Sequence, residues 1–238
     1  MLFFYLRHGD PIYNPDSLTE LGQKQAKALA NRLSLYGADR IYASSSKRAV
    51  QTAAPTAELL KKEVTILDWC NEGYAYRDLS VTRADGSRCW CFQDKDYKRL
   101  FASPEVQALG SRWYDHPAFA GTAFRNACER IARESDAFFA SLGYVRDETK
   151  NLYHVTKPTE ERIALFAHQG FGLLFLSHVL GIPYPLFSTH FDLGHSSMSV
   201  IEFANLGGYT VPCMLQVSND SHIYRDGLPL SYQNRIFF

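Results

Sequence analysis

The chain has 238 residues, 46% hydrophobic and 14% aromatic, enough to bury one sizeable core in a single domain over residues 1–238. Its 25 Lys and Arg balance 25 Asp and Glu, which excludes the charge excess that grips a nucleic-acid backbone, so any anion site must be local. No apolar stretch approaches the ~20 residues that span a bilayer, and the 5 scattered cysteines make neither a secreted disulfide framework nor a zinc-like ligand set around Cys89 and Cys91.

The first segment, Leu2 to Leu6, is a run of Leu, Phe and Tyr without polar interruption, as in a strand buried on both faces of a parallel sheet. It reads as a core strand rather than a signal sequence, and a cytoplasmic protein with reduced thiols is expected. The strand stops at Arg7-His8-Gly9, and a loop with Pro11, Asn14 and Pro15 follows. Ser17 and Thr19 are both candidate N-caps, Ser17 in capping-box spacing to Glu20, for a helix with Leu21, Ala28, Leu29 and Leu33 on one face. Arg40 to Ala43 is a second strand, ending at Ser44-Ser45-Ser46 before a helix whose apolar side is Val50, Ala53, Ala57 and Leu60, with Arg48 in its first turn. Val64 to Leu67 is the third strand, after which Trp69 to Arg77 reads as irregular and carries Glu72.

Residues 78–121 have no clean period and read as an insertion or lid. Phe124, Cys128, Ile131, Ser135, Phe138 and Leu142 recur at helical spacing, and Lys150 to Glu161 reads as a polar connection. Ile163 to Ala167 is another apolar strand, ending at His168-Gln169-Gly170 before an apolar helix through Leu173, Leu176 and Leu180. Met198 to Phe203 and Val211 to Val217 are the last strands, with Gly207-Gly208 as the turn between them.

Alternating strands and helices imply an α/β three-layer sandwich, a mostly parallel sheet with helices on both faces, plus the lid-like insertion. Ligands of such sheets sit outside the carboxyl ends of the strands. Arg7 and His8, Arg48, and His168 each follow a strand at that edge, which points to an anion pocket. Guanidinium forks bind phosphoryl oxygens in bidentate fashion and stabilise a metaphosphate-like transition state. A neutral imidazole is a competent nucleophile near pH 7. A second imidazole and the N-terminus of the helix after Gly170 would donate hydrogen bonds to the transferring oxygens.

Leu6-Arg7-His8-Gly9 resembles the L-R-H-G signature of the histidine phosphatase superfamily, which includes the cofactor-dependent phosphoglycerate mutases. Leu18-Thr19 with Gly22, Gln25 and Ala26 resembles its L-T-x-x-G-x-x-Q-A helix, Ser44 to Ala53 its S-x-x-x-R-A-x-Q-T-A segment, and Ala167-His168-Gln169-Gly170 its second histidine motif. These elements occur in family order and span residues 2 to about 203. The resemblance implies His8 as nucleophile, Arg7, Arg48 and His168 as the phosphate pocket, and a proton donor after the third strand, Glu72 ahead of Asp68. Gly9 would allow close backbone approach, and Asn14, Gln169 and Gly170 would contact the substrate.

Two departures stand out. The family's R-H-G-E followed by Ser or Thr is here Asp10 and Pro11, which removes a hydroxyl contact to phosphate, and the loop from His8 to Thr19 is shorter than in typical mutases. The expected activity is therefore hydrolysis of a small phosphorylated metabolite through phosphohistidine, releasing inorganic phosphate, with no metal and no cofactor. The alternatives are a phosphoglycerate-type mutase and a phosphate-binding module without turnover. Of the other histidines, His195 alone precedes a strand at the same edge, and its ordinary role is structural. Tyr74, Tyr76, Trp90, Phe92, Tyr97 and Trp113 either line an organic pocket or form the insertion's own core.

Overall fold

A computed structural model of the chain describes residues 1–230. Six strands form the central sheet, in the spatial order Cys213–Asn219, Met198–Glu202, Leu2–Arg7, Arg162–Ala167, Arg40–Ser44, Val64–Leu67. The last four of these run parallel, and the other two add antiparallel, giving the mostly parallel sheet expected. Alternate residues of Leu2–Arg7 serve opposite faces: Phe3 and Tyr5 pack with the helices Phe124–Ser141 and Gln169–Leu180, and Phe4 and Leu6 with Glu20–Tyr36 and Lys47–Leu60. Phe3, Phe4 and Leu6 have no exposed surface, and each such burial contributes roughly 1.5–3 kcal/mol.

Parallel register fixes where the strands end. Arg7 pairs with Ala167, Phe166 with Ala43, and Ser44 with Leu67. His8, His168, the segment from Ser45 to Arg48, and the segment from Asp68 to Glu72 therefore leave the sheet along a single edge.

Several local expectations are corrected. Thr19, not Ser17, caps the first helix, its hydroxyl accepting from Gly22 N, while Ser17 lies in a short hairpin of Pro11–Tyr13 with Asp16–Leu18. The stretch after the third strand is ordered: Asn71 accepts from Gly73 N and starts a helix over Glu72–Leu79. Lys150 to Glu161 contains the strand Leu152–Val155, which pairs with Tyr144–Asp147 and Tyr209–Thr210. The chain past Phe203 thus joins that small sheet before returning to the central one, rather than turning directly at Gly207-Gly208.

Residues 78–121 form a hairpin of Ser80–Thr82 with Arg88–Trp90 and short helices over Lys95–Phe101 and Pro104–Ala108. Phe101, Val106, Trp113 and Phe119 are buried in the same apolar cluster as Phe3 and Tyr5, so the segment shares the sheet's core.

Candidate active site

A cavity of about 680 Å³ opens at the carboxyl edge of the sheet, lined by Arg7, His8, Tyr13, Asp16, Ser45, Ser46, Arg48, Asn71, Glu72, Gly73, Tyr76, Trp90, Gln169 and Gly170. His8 is buried at its base. The His8 N–H donates to Ala167 O and the His8 carbonyl accepts from Ser196 N, so a strand end on one side and a turn on the other fix its backbone. The ring Nδ1 lies 2.7 Å from the Gly9 carbonyl, which can only accept, so Nδ1 carries the proton and Nε2 keeps its lone pair. Arg48 Nε donates to that lone pair at 3.2 Å. Burial, then His168 and Arg7, push the His8 pKa well below its ordinary value, so the ring is neutral at pH 7.

Arg48 enters from the first turn of Lys47–Leu60, where a cation is poorly placed against the helix dipole. Asp16 compensates: its carboxylate accepts from Arg48 NH1 and from Lys47 N, each at 2.7 Å. Arg48 NH2 lies 3.2 Å from His168 Nδ1. Arg7 donates NH1 to the Leu193 carbonyl, and its Nε is buried with no protein acceptor among the described residues. That unspent donor and the Arg48 fork suit the oxygens of a phosphoryl group.

His168 stands behind the cavity rather than in its lining. It is fully buried, with Nε2 2.8 Å from Ser44 Oγ and Nδ1 3.3 Å from Glu72 Oε2. Tyr5 of the first strand holds its backbone, donating to His168 O at 2.7 Å. Burial and the two arginines lower its pKa well below the usual value, and as a neutral ring it spans Arg48 and Glu72.

Glu72 is the raised carboxyl of the site. Burial pushes its pKa up to about 7 against the opposing N–H of Phe171, Arg7 and Arg48. The Phe171 N–H bonds Glu72 Oε1 at 3.0 Å, so this donor in the first turn of Gln169–Leu180 meets the carboxyl instead of being free for phosphate. Asp68, the competitor, is exposed, outside the cavity lining, and held low by hydroxyls of Ser45 and Tyr74.

The remaining candidates divide. Gln169 and Gly170 line the cavity, whereas Asn14 is exposed and does not; Tyr13 and Asp16 of the same hairpin do. Gly9 is required by packing: a Cβ there would lie 2.6 Å from Gly22 O. His195 packs its ring 5.6 Å from that of His8, with Nδ1 3.6 Å from Asp10, outside the lining. Burial lowers its pKa to about 3. Of the aromatics, Tyr76 and Trp90 reach the cavity, Phe92 and Trp113 are core, and Tyr74 bonds Asp68 at the surface. Sequence reasoning missed Asp16, Tyr13, Ser45 and Asn71. The one signal in the sequence was Arg48 itself, a cation in the first turn of a helix, which calls for an anionic partner without saying that Asp16 supplies it.

The ligand atoms of His8, Glu72 and His168 lie within 4.8 Å of one another, a donor set of the kind zinc takes. Both imidazole lone pairs that would bind an ion are instead met by Arg48. Among the described residues no helix is long and apolar enough to cross a membrane.

Residues 3–76 match the family model of the histidine phosphatase superfamily, branch 1. The chain is 41% identical over 151 residues to a protein of Schizosaccharomyces pombe named Probable phosphatase C1687.21, an alignment that covers 60% of this chain and 62% of that protein's length. Among solved structures it resembles a phosphoserine phosphatase of Entamoeba histolytica, with a TM-score of 0.59 and 17% identity over 93% of this chain and 98% of that one. A mycobacterial glucosyl-3-phosphoglycerate phosphatase gives a TM-score of 0.58 and 18% identity over 91% and 98%. At such identities the likeness is one of fold.

Proposed function

The chain belongs to the histidine phosphatase superfamily, and from that premise we propose that it hydrolyses phosphate monoesters through a phosphohistidine at His8. The observation that carries this is the 2.7 Å bond from His8 Nδ1 to the Gly9 carbonyl, which leaves Nε2 as an oriented, unprotonated nucleophile. When the phosphoryl group enters, Arg48 Nε exchanges its hydrogen bond to Nε2 for one to a phosphoryl oxygen, the phosphorus takes the place toward which the freed lone pair points, and Arg7 Nε and the Arg48 fork hold its oxygens. His8 Nε2 forms the bond to phosphorus while the ester oxygen departs, taking the proton of Glu72, which a pKa of about 7 keeps substantially protonated. Water then attacks the phosphohistidine with Glu72, now a carboxylate, accepting its proton; inorganic phosphate leaves and His8 returns to the neutral state.

Hydrolysis is favoured over transfer between bisphosphate and monophosphate because Arg7 and Arg48 are the only Lys or Arg among the cavity-lining residues, and one phosphoryl group engages both. A binding role without turnover is disfavoured by Glu72, whose carboxyl lines the cavity. The reaction needs no divalent ion, since the two guanidinium groups supply the positive charge that the transferring phosphoryl group requires. Turnover of p-nitrophenyl phosphate after EDTA treatment and desalting tests this. Rates unchanged by the treatment and abolished in His8→Ala are expected, and strict dependence on added zinc or magnesium would contradict it.

A further inference from the structure

The leaving-group end of the cavity is built from aromatic rings. Trp90, on the second strand of the insertion hairpin, reaches over the start of Gln169–Leu180, where a Cβ added to Gly170 would lie 2.4 Å from its ring. Only glycine at position 170 lets the indole come so close to the first turn of that helix. The ring is held in place by its neighbours, Tyr76 edge-on at 5.0 Å and Phe92 stacked at 5.4 Å. It therefore presents its surface to the cavity without an entropy loss on binding. Tyr13 lines the same space from the hairpin after the first strand.

The charges around this end exclude other leaving groups. Arg7 and Arg48 are committed to the phosphoryl oxygens, no further Lys or Arg lines the cavity, and Asp16 adds a carboxylate to its rim. A carboxylate or second phosphate on the leaving group would find no cation among the lining residues beyond the two that hold the phosphoryl oxygens. A cationic head group fares no better, because Arg48 already lies 5.4 Å from the Tyr13 ring and Arg88 5.6 Å from that of Tyr76. Resting on the hydrolase reading above, we infer that the substrate is a phosphate monoester whose leaving group carries a flat, uncharged ring, and that Trp90 is the residue that selects it.

The test compares alcohols of similar acidity, so that chemistry at the leaving oxygen does not set the ratio. In the wild-type enzyme, kcat/KM for 2-phenylethyl phosphate should exceed that for hexyl phosphate by about tenfold, the order of one aromatic contact. Phosphoglycerate and phosphocholine should both be poorer than hexyl phosphate. Trp90→Ala should bring the phenylethyl-to-hexyl ratio close to unity, and Trp90→Phe, which keeps a ring in place, should retain most of the preference. An equal ratio in the wild type, a ratio untouched by Trp90→Ala, or a preference for phosphoglycerate or phosphocholine would overturn the inference. Calorimetric binding of benzylphosphonate against butylphosphonate reads the same preference without turnover. Ring-selective binding by a protein that cleaves no ester would sink the hydrolase reading, and with it the substrate claim, and leave only the ring selection at Trp90; cleavage without ring selectivity would sink the inference and leave the hydrolase reading standing.

Discussion

At Glu72 two influences act on one carboxyl: burial favours the neutral acid, and the Phe171 N–H, Arg7 and Arg48 favour the anion. Burial wins and leaves the pKa at about 7. The acid must be protonated to donate, so kcat/KM for an alkyl phosphate should fall as pH rises through about 7. His8, with its pKa lowered, stays neutral on the acid side and imposes no loss just below that value. A p-nitrophenyl ester departs without a proton, so the contrast between alkyl and aryl kcat/KM reads Glu72. Glu72→Gln should lower the alkyl rate by about 10²–10⁴ and the aryl rate far less. If Asp68→Asn gives that contrast and Glu72→Gln does not, the acid is misassigned while the nucleophile stands.

Among the elements, the close approach of the first strand's exit to the first helix sets the position of the nucleophile. Asp10 accepts from Thr19 on the helix cap, Gly9 N donates to Thr52 Oγ1 at 3.1 Å, and Gly9 and Gly22 meet backbone to backbone. Gly9→Ala would drive a methyl group into the Gly22 carbonyl, and urea denaturation should read a loss of about 1–3 kcal/mol, accompanied by lower kcat because Gly9 O orients the His8 ring. Unchanged stability and rate would mean that the contact is slack. This packing was foreshadowed by the two glycines but not its geometry, since sequence does not say which backbones touch. The helix over Glu72–Leu79 escaped notice because its start depends on the Asn71 side chain, and its burial on the helices Phe124–Ser141 and Gln169–Leu180 far along the chain. The strand Leu152–Val155 was hidden for a different reason: only Tyr153 is fully buried, so four residues of weak alternation read as polar chain.

Across the whole molecule, the parallel sheet was the most legible feature, because unbroken runs such as Leu2 to Leu6 and Ile163 to Ala167 admit few alternatives and each is punctuated by a histidine. Convergence of His8, Arg48 and His168 then follows from strand register. The division of labour does not: His168 lies behind the cavity between Arg48 and Glu72, and Asp16 holds Arg48, because both depend on how side chains pack after the sheet has formed. The covalent step draws on that entire edge, and it can be observed directly. The chain is mixed with ³²P-labelled substrate, quenched within milliseconds, and the protein-bound label is tested for stability in acid and in alkali. We expect at most one labelled phosphate per chain, lost in acid, retained in alkali as a histidine phosphoramidate is, and absent from His8→Ala. Label that survives acid, or that accumulates undiminished in His8→Ala, would contradict a phosphohistidine at His8.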